Sequence, residues 1–205
     1  MNGVSGKETN TILLFNKWDA SKIEIQDEGL KNVIKLTPTS VIPITFGRHE
    51  HQRLKKAEVH LVERLVNKLM HFGKKYAKNT GRMGGKKARV IKTVKTSFDL
   101  IHKETGKNPL ELLVKAIENA APNEDTTRIV YGGVVYHVSV DVAPLRRIDL
   151  ALRFIAEGVR DSTYSNPHTI EEVLAKEIML ASANSMDSHA VKKKNEQERV
   201  AMSSR

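Results

Sequence analysis

The chain has 205 residues, 40% of them hydrophobic and 28% charged, a formal net charge of +10 and no cysteine. That length accommodates one domain with a real core plus extensions, and the lack of cysteine excludes disulfides and thiolate metal sites, as fits a reducing, cytoplasmic setting. No stretch approaches the roughly 18–20 apolar residues of a membrane span, and the start, MNGVSGKETNTILLF, lacks the apolar core of a signal peptide, so a soluble protein is expected. The charge is local: between Arg64 and Phe98 lie eleven Lys or Arg and no Asp or Glu, which leaves the rest of the chain close to neutral. A merely solvated surface intersperses both signs to avoid self-repulsion, whereas a concentrated, glycine-interrupted basic field attracts a phosphate backbone by releasing its counterions. Nucleic acid is the expected partner.

Residues 1 to about 45 are mixed in charge, broken by Pro38 and Pro43, and read as an extended arm anchored by Phe15, Trp18 and the patch Val41 to Ile44. From Ala57 onward Leu61, Leu65 and Leu69 recur every fourth residue beside Val62 and Val66, which predicts an amphipathic helix ending at Phe72 and Gly73. Gly73 to Gly85 reads as a basic loop. A second helix follows with Ile91, Val94, Phe98 and Ile101 inward, closing at Thr105 and Gly106. Asn108 followed by Pro109 is a cap and first-turn proline that open a third helix, with Leu110, Leu113, Val114 and Ile117 inward and Pro122 as its stop.

Over residues 127 to 142 the hydrophobic period changes from 3.6 to 2, and Gly132 with Gly133 supplies a two-residue turn, so a β-hairpin is predicted. An isolated ribbon is marginal in water, so it leans on the bundle or protrudes from it, with its root-proximal valines expected to complete the core. Pro144 starts a fourth helix with the stripe Ile148, Leu152, Ile155 and Val159. Thr169 caps a fifth, with Glu171 and Glu172 in its first turn and Ile170, Leu174, Ile178 and Ala181 inward. From Ser188 the chain is polar and basic, and it is predicted to form a helix with a loose tip that the fold can spare. The predicted fold is mainly α: a bundle of about six helices with one protruding β-hairpin and an extended N-terminal arm, divided as 1–50 arm, 51–187 helical domain and 188–205 basic tail.

Catalytic and metal readings fail on spacing. A phosphate-binding P-loop around Gly85, Lys86 and Lys87 would need glycine where Thr80 stands and a hydroxyl where Lys87 stands. What remains is a phosphate cradle of glycine-flexed amides and lysines at a helix start. His49 and His51 have no third metal ligand at a helical spacing, and His60 is expected to make a surface or cap contact. Asp27 with Glu28 and Glu171 with Glu172 are sequence neighbours whose side chains diverge, so neither pair converges on a substrate. Neither an enzyme nor a cofactor, metal or small-molecule substrate is expected.

The run NKLMHFGKK, residues 67–75, resembles the end of the first helix in the universal small-subunit ribosomal protein number seven family. TSFDLIHKETGKNPLELLVKAIENAAP, residues 96–122, is similar to that family's second and third helices, and RIVYGGVVYHVSVDVAPLRRIDLALRFI, residues 128–155, to its β-arm and fourth helix. LFNKWD, residues 14–19, and the ending AVKKKNEQERVAMSSR, residues 190–205, resemble the archaeal and eukaryotic branch, the archaeal one favoured. The resemblance implies a helical protein that binds small-subunit rRNA, helps organise the head of that subunit on the cytoplasmic ribosome, and lies near exit-site tRNA and mRNA beside neighbouring head proteins. By motif it implies rRNA contacts at Lys74, Lys75, Arg128, Arg146 and Arg147. The surrounding cations Arg48, Arg53, Lys55, Arg64, Lys68, Arg82, Lys86, Lys87, Arg89, Lys92, Lys95 and Arg153 complete the expected rRNA-binding set. The ribbon tip at Tyr131, Gly132 and Gly133, with Lys192, Lys193, Lys194, Arg199 and Arg205, is expected toward tRNA and mRNA. Tyr131 stands where many family members carry a basic residue.

The residue types set the mechanism. Lysine and arginine supply counterion-release affinity, and arginine's planar fork fixes position on phosphate by paired bonds. Duplex RNA hides its base edges in a deep groove, so recognition falls on shape, phosphate and 2′-hydroxyl. With 5% aromatics, stacking platforms for single strands are not expected. The alternative is a DNA-binding helical regulator or chromatin protein, but the basic window lies on a glycine loop and the preceding helix, whereas a recognition helix needs short polar base-reading side chains near its N-terminus.

Overall fold

The structure is a computed structural model that describes residues 12–21, 23–70 and 83–205. The helix end at Phe72 and Gly73, the loop up to Arg82, and Lys74, Lys75 and Arg82 lie outside the described residues. In chain order there are a single turn α1 (Glu28–Lys31), a 3-10 turn (Lys55–Glu58), α2 (Leu61–Met70), α3 (Lys87–Thr105), α4 (Pro109–Ala120), β1 (Glu124–Tyr131), β2 (Val134–Asp141), α5 (Pro144–Thr163), α6 (Ile170–Ser182) and α7 (His189–Met202). The described part is therefore mainly helical with one antiparallel hairpin.

The helices sit where their punctuation places them. Asn108 Oδ1 accepts the Leu110 N–H at 3.1 Å, Gly106 closes α3 at a φ of 67° that suits glycine, and Thr169 and Glu172 form a reciprocal capping box on α6. Helix α6 packs on α3, α4 and α5, and one hydrophobic cluster runs from Leu14 to Val191. In α3 the buried residues are Val90, Thr93, Val94, Ser97, Phe98 and Ile101, and Ile91 is only half-buried. At about 100° per residue, Ile91 falls roughly a quarter turn from the centre of that buried arc.

The N-terminal arm is part of the core rather than an appendage. Leu14, Phe15, Trp18, Leu30 and Ile34 belong to the same cluster as the helices. Phe15 meets Phe98 edge-on at 6.4 Å, and Trp18 meets His102 at 5.0 Å. Of the expected patch from Val41 to Ile44, Val41 and Ile42 are exposed, and Pro43 is the buried member. The Val41 carbonyl nevertheless accepts the Phe15 N–H at 2.8 Å, so the patch anchors the arm through backbone more than through side chains.

His60 ties the arm to α2. Its Nε2–H donates to the Leu36 carbonyl at 2.8 Å, and its Nδ1 accepts the Val62 N–H at 3.2 Å, which satisfies one of the orphan donors of the first turn. The cap contact anticipated from sequence is thus present, but on a buried ring. Burial pulls the imidazole below its ordinary pKa, outweighing the Leu36 carbonyl and Glu63, which favour the cation, with Lys35 adding to the depression. An unfolded histidine titrates near about 6.5. Below that pH the unfolded chain takes up a proton that folded His60 resists, so the stability contributed here is complete above about 6.5 and declines as the pH falls. Thermal melts at about pH 7.5 and 5.5 are expected to show a larger loss for the wild type than for His60→Asn, which keeps a cap acceptor that does not titrate in this range. Equal losses would refute the assignment.

The hairpin begins at Glu124, three residues earlier than its alternation indicates, and pairs Ile129 with Tyr136 and Tyr131 with Val134 around Gly132 and Gly133, whose φ values are 58° and 81°. Val138 and Val140 are 39% and 40% exposed, so the root-proximal valines do not complete the core; only Val142, just past the strand, is buried. The ribbon protrudes, held at its base by α7: the Asn123 N–H donates to Glu198 at 2.9 Å, the Ser139 N–H to the Ser204 carbonyl at 3.3 Å, and Arg205 pairs with Glu124.

The terminus, expected from sequence to end in a loose tip, instead makes defined contacts with the hairpin root. Helix α7 starts beside Phe154 and Gly158 and ends at the hairpin root, so it runs antiparallel along α5. Glu177 is 7% exposed and accepts both the Ser188 hydroxyl at 2.8 Å and the Ala190 N–H at 3.0 Å, anchoring the start of α7 to α6. Gly158 lets α7 approach, because a Cβ there would sit 2.7 Å from the Cβ of His189.

Candidate nucleic-acid interface

Helix α3 has two unlike faces. Its buried arc faces the bundle, while Arg89, Lys92 and Lys95 recur every third residue on the opposite side, with Lys86 at the helix start; all four are exposed and none forms an ion pair among the described residues. Lys87, the next residue, does different work. Its ammonium lies 2.6 Å from Glu63, whose carboxylate is 1% exposed and also accepts the Thr45 N–H and hydroxyl at 3.0 and 2.9 Å. That contact fastens the start of α3 and the arm to α2.

Around α2 the other basic elements converge. Asp149 on α5 pairs with Lys56, lies 3.4 Å from Arg64 and stands 3.9 Å from Lys68. Arg64 is 3% exposed and donates to the carbonyls of Val33 and Leu145 as well. Burial opposes its charge and Asp149 supports it. Its guanidinium works inside the fold and does not belong to the exposed basic surface. Arg147 is similarly occupied: it donates to Asp27 at 2.8 Å and to the Pro122 carbonyl at 3.2 Å, joining the arm to the hairpin root.

The remaining cations are on the surface. Arg48 and Arg53 are exposed and Lys55 is half-buried, and none of the three is ion-paired among the described residues. Arg146 and Arg153 are largely exposed, at 3.7 Å from Asp125 and 2.8 Å from Glu157. Pairs of this kind are worth at most about 1 kcal/mol and yield readily to a phosphate. Arg128 stands exposed on the ribbon opposite His137. On α7, Lys192 and Arg199 are exposed, Lys194 is half-buried, and Lys193 pairs with Glu196 at 2.6 Å. Tyr131 at the ribbon tip is 80% exposed.

The cations fall on two sets of elements: the 48–55 segment, α3 and the N-terminal half of α5, each of which packs against α2, and the ribbon with the helix α7 that contacts it. Periodicity missed Asp149 as the organiser of three cations because its partners lie 81 to 93 positions away in the chain. Among the described residues no three His, Cys, Asp or Glu side chains are grouped to hold a metal ion, and no helix is long and apolar enough to cross a membrane.

A sequence model of the family described as ribosomal protein S7p/S5e matches residues 35–205. The chain belongs to the ribosomal protein S7p/S5e family. It is 60% identical over 198 residues, covering 97% of this chain and 99% of the relative, to the small ribosomal subunit protein uS7 of the archaeon Cenarchaeum symbiosum (strain A). The archaeal resemblance seen in LFNKWD and in the basic terminus is borne out by that relative. As a member of the S7p/S5e family the chain is an RNA-binding ribosomal protein of translation and not an enzyme.

Proposed function

We propose that this S7p/S5e protein is a structural constituent of the small ribosomal subunit that binds small-subunit rRNA through the surface centred on α2 and α3 and helps organise the subunit's head. The observation that carries the reading is the row Lys86, Arg89, Lys92 and Lys95, exposed and without ion pairs among the described residues, on a helix whose other face is core. An unpaired row of this kind repels itself unless a polyanion lies across it. Arg48, Arg53 and Lys55 widen the same field, and Arg146 with Arg153 extends it along α5, their weak carboxylate partners exchangeable for phosphate. Lys74, Lys75 and Arg82, which lie between α2 and α3 in the sequence, belong to the same proposal.

The ribbon and α7 form the second contact region, directed at exit-site tRNA and mRNA and at neighbouring head proteins. Arg128, Tyr131, Gly132 and Gly133 lie on the ribbon, and Lys192, Lys193, Lys194, Arg199 and Arg205 lie on or just beyond the helix that braces it. The brace supports a defined direction for the ribbon, since two backbone contacts and an ion pair fix its root. Competition binding tests the main reading against a DNA-binding protein. A folded fragment of small-subunit rRNA is expected to displace bound duplex DNA, with the rRNA affinity at least about tenfold higher, because recognition by phosphate position and backbone shape favours a folded junction over a straight duplex. Equal affinity for both would leave only nonspecific polyanion binding.

A further inference from the structure

We propose that the cleft between the 49–56 segment and the outward edge of α2 binds one phosphodiester group of RNA, held by Lys68 with Gln52 and Asn67. The proposal rests on the RNA-binding reading above and gives it a defined pocket. The cleft has a volume of about 420 Å³ and is lined by His49, Glu50, Gln52, Lys56, Asn67 and Lys68.

Its charge is out of balance. Asp149 offers one negative charge to Lys56, Arg64 and Lys68 together, and Glu50 is the other carboxylate at the rim. Arg153, one turn further along α5, adds to the positive field at Lys68. An anion in the cleft supplies the missing counter-charge.

Its donors are unspent. Lys68 Nζ stands 3.9 Å from Asp149, beyond hydrogen-bonding distance, so its three N–H bonds are uncommitted there. The side-chain amides of Gln52 and Asn67 make no hydrogen bond among the described residues. The Thr45 hydroxyl gives its proton to Glu63, so His49 Nδ1, 3.3 Å away, is the donor in that contact, and His49 lines the cleft without adding a donor to it. A phosphodiester, with two charged oxygens and two ester oxygens, matches a lysine flanked by amide donors.

Lysine at this position is also a burden on the fold. Burial lowers the Lys68 pKa more than Asp149 raises it, with Lys56, Arg153 and Arg64 adding repulsion. A side chain whose charge opposes folding and whose donors face a cleft is placed for a ligand rather than for stability.

Lys68→Met in the full chain tests this, since methionine keeps the apolar stem and removes the charge. With a folded fragment of small-subunit rRNA at about 100 mM salt, the variant is expected to lose about tenfold in affinity, its log–log salt slope to shrink by about one, and its melting temperature to stay level or rise. Asn67→Ala is expected to lose a few-fold in affinity, on the order of one neutral hydrogen bond, with the slope unchanged. Lys107→Met, which removes one charge from the exposed turn before α4, controls for net charge and is expected to change neither quantity appreciably. If Lys68→Met matches Lys107→Met while the wild type keeps its steep salt dependence, the cleft assignment is overturned and the RNA reading survives. If Lys68→Met instead melts lower and keeps its slope, the lysine is structural and the assignment falls as well. Inorganic phosphate at constant ionic strength separates a free-anion site: should it shift the Asn67 amide signal while Lys68→Met leaves RNA affinity and slope intact, the cleft takes free phosphate rather than RNA. A wild type with no salt-dependent RNA binding would remove the underlying reading itself.

Discussion

The affinity of the full chain for a folded fragment of small-subunit rRNA is expected to fall about 10³- to 10⁵-fold between roughly 50 and 200 mM salt, the drop that accompanies release of counterions from about 6–10 phosphates. On the proposed reading Lys86, Arg89, Lys92, Lys95, Arg48 and Arg53, exposed and without ion pairs among the described residues, supply much of that number, with Lys55 and the α5 arginines adding to it. Replacing Arg89, Lys92 and Lys95 by Gln is expected to reduce the slope of log affinity against log salt by about three and leave the thermal melt unchanged, because these side chains are exposed and form no ion pair among the described residues. Lys87 does not belong in such a variant: removing it strands Glu63, a carboxylate 1% exposed, without its counter-ion, and the resulting destabilisation would mask any RNA effect. Anisotropy titrations at four or five salt concentrations measure the slope, and a flat dependence would defeat the electrostatic account.

Phe98→Ala is expected to cost about 3–5 kcal/mol of unfolding free energy and Leu152→Ala about 2–5 kcal/mol. Both side chains are fully buried. Phe98 carries more than its own helix, since its ring also receives the edge of Phe15 from the arm. Truncation therefore removes the seat of the N-terminal segment as well as core volume, and the arm is expected to lose protection from hydrogen exchange in Phe98→Ala more than in Leu152→Ala. Urea denaturation gives the two free energies. A variant that kept its melting temperature would show that its residue is not in the core.

Local chemistry made most of the fold legible. Asn108 before Pro109, Gly106 after Thr105, Thr169 three residues before Glu172 and the glycine pair at 132 and 133 each act within four residues of chain, so they are visible without a partner. What depended on distant partners was not. Leu14, Leu30 and Ile34 join the core from a segment with no periodicity. Helix α7 buries only Ala190, Val191 and Ala201 among its apolar residues, and an estimate from apolar area alone makes it a loose tail. It docks instead through polar contacts to Glu177, Glu124 and the hairpin root, which nothing in its own sequence announces.

The basic surface was legible as a concentration of charge but not as a division of labour. Arg64 lies three residues after Leu61 and one before Leu65, close to the buried stripe of α2, and that position was the available sign of its internal role. Arg147 carried no such sign, because Asp27 is 120 positions away. Asp149 was equally hidden, and with it the cleft that Lys56 and Lys68 share. The row on α3 stood out because helical periodicity alone separates Arg89, Lys92 and Lys95 from the core.

Co-sedimentation with ribosomal subunits tests the central claim most directly. Tagged chain added to a translation extract and fractionated on a sucrose gradient is expected to travel with the small subunit, to be absent from the large-subunit peak, and to shift toward the free fractions when Arg89, Lys92 and Lys95 are replaced by Gln. Wild-type chain that stays at the top of the gradient, or that distributes equally between the two subunits, would contradict the account.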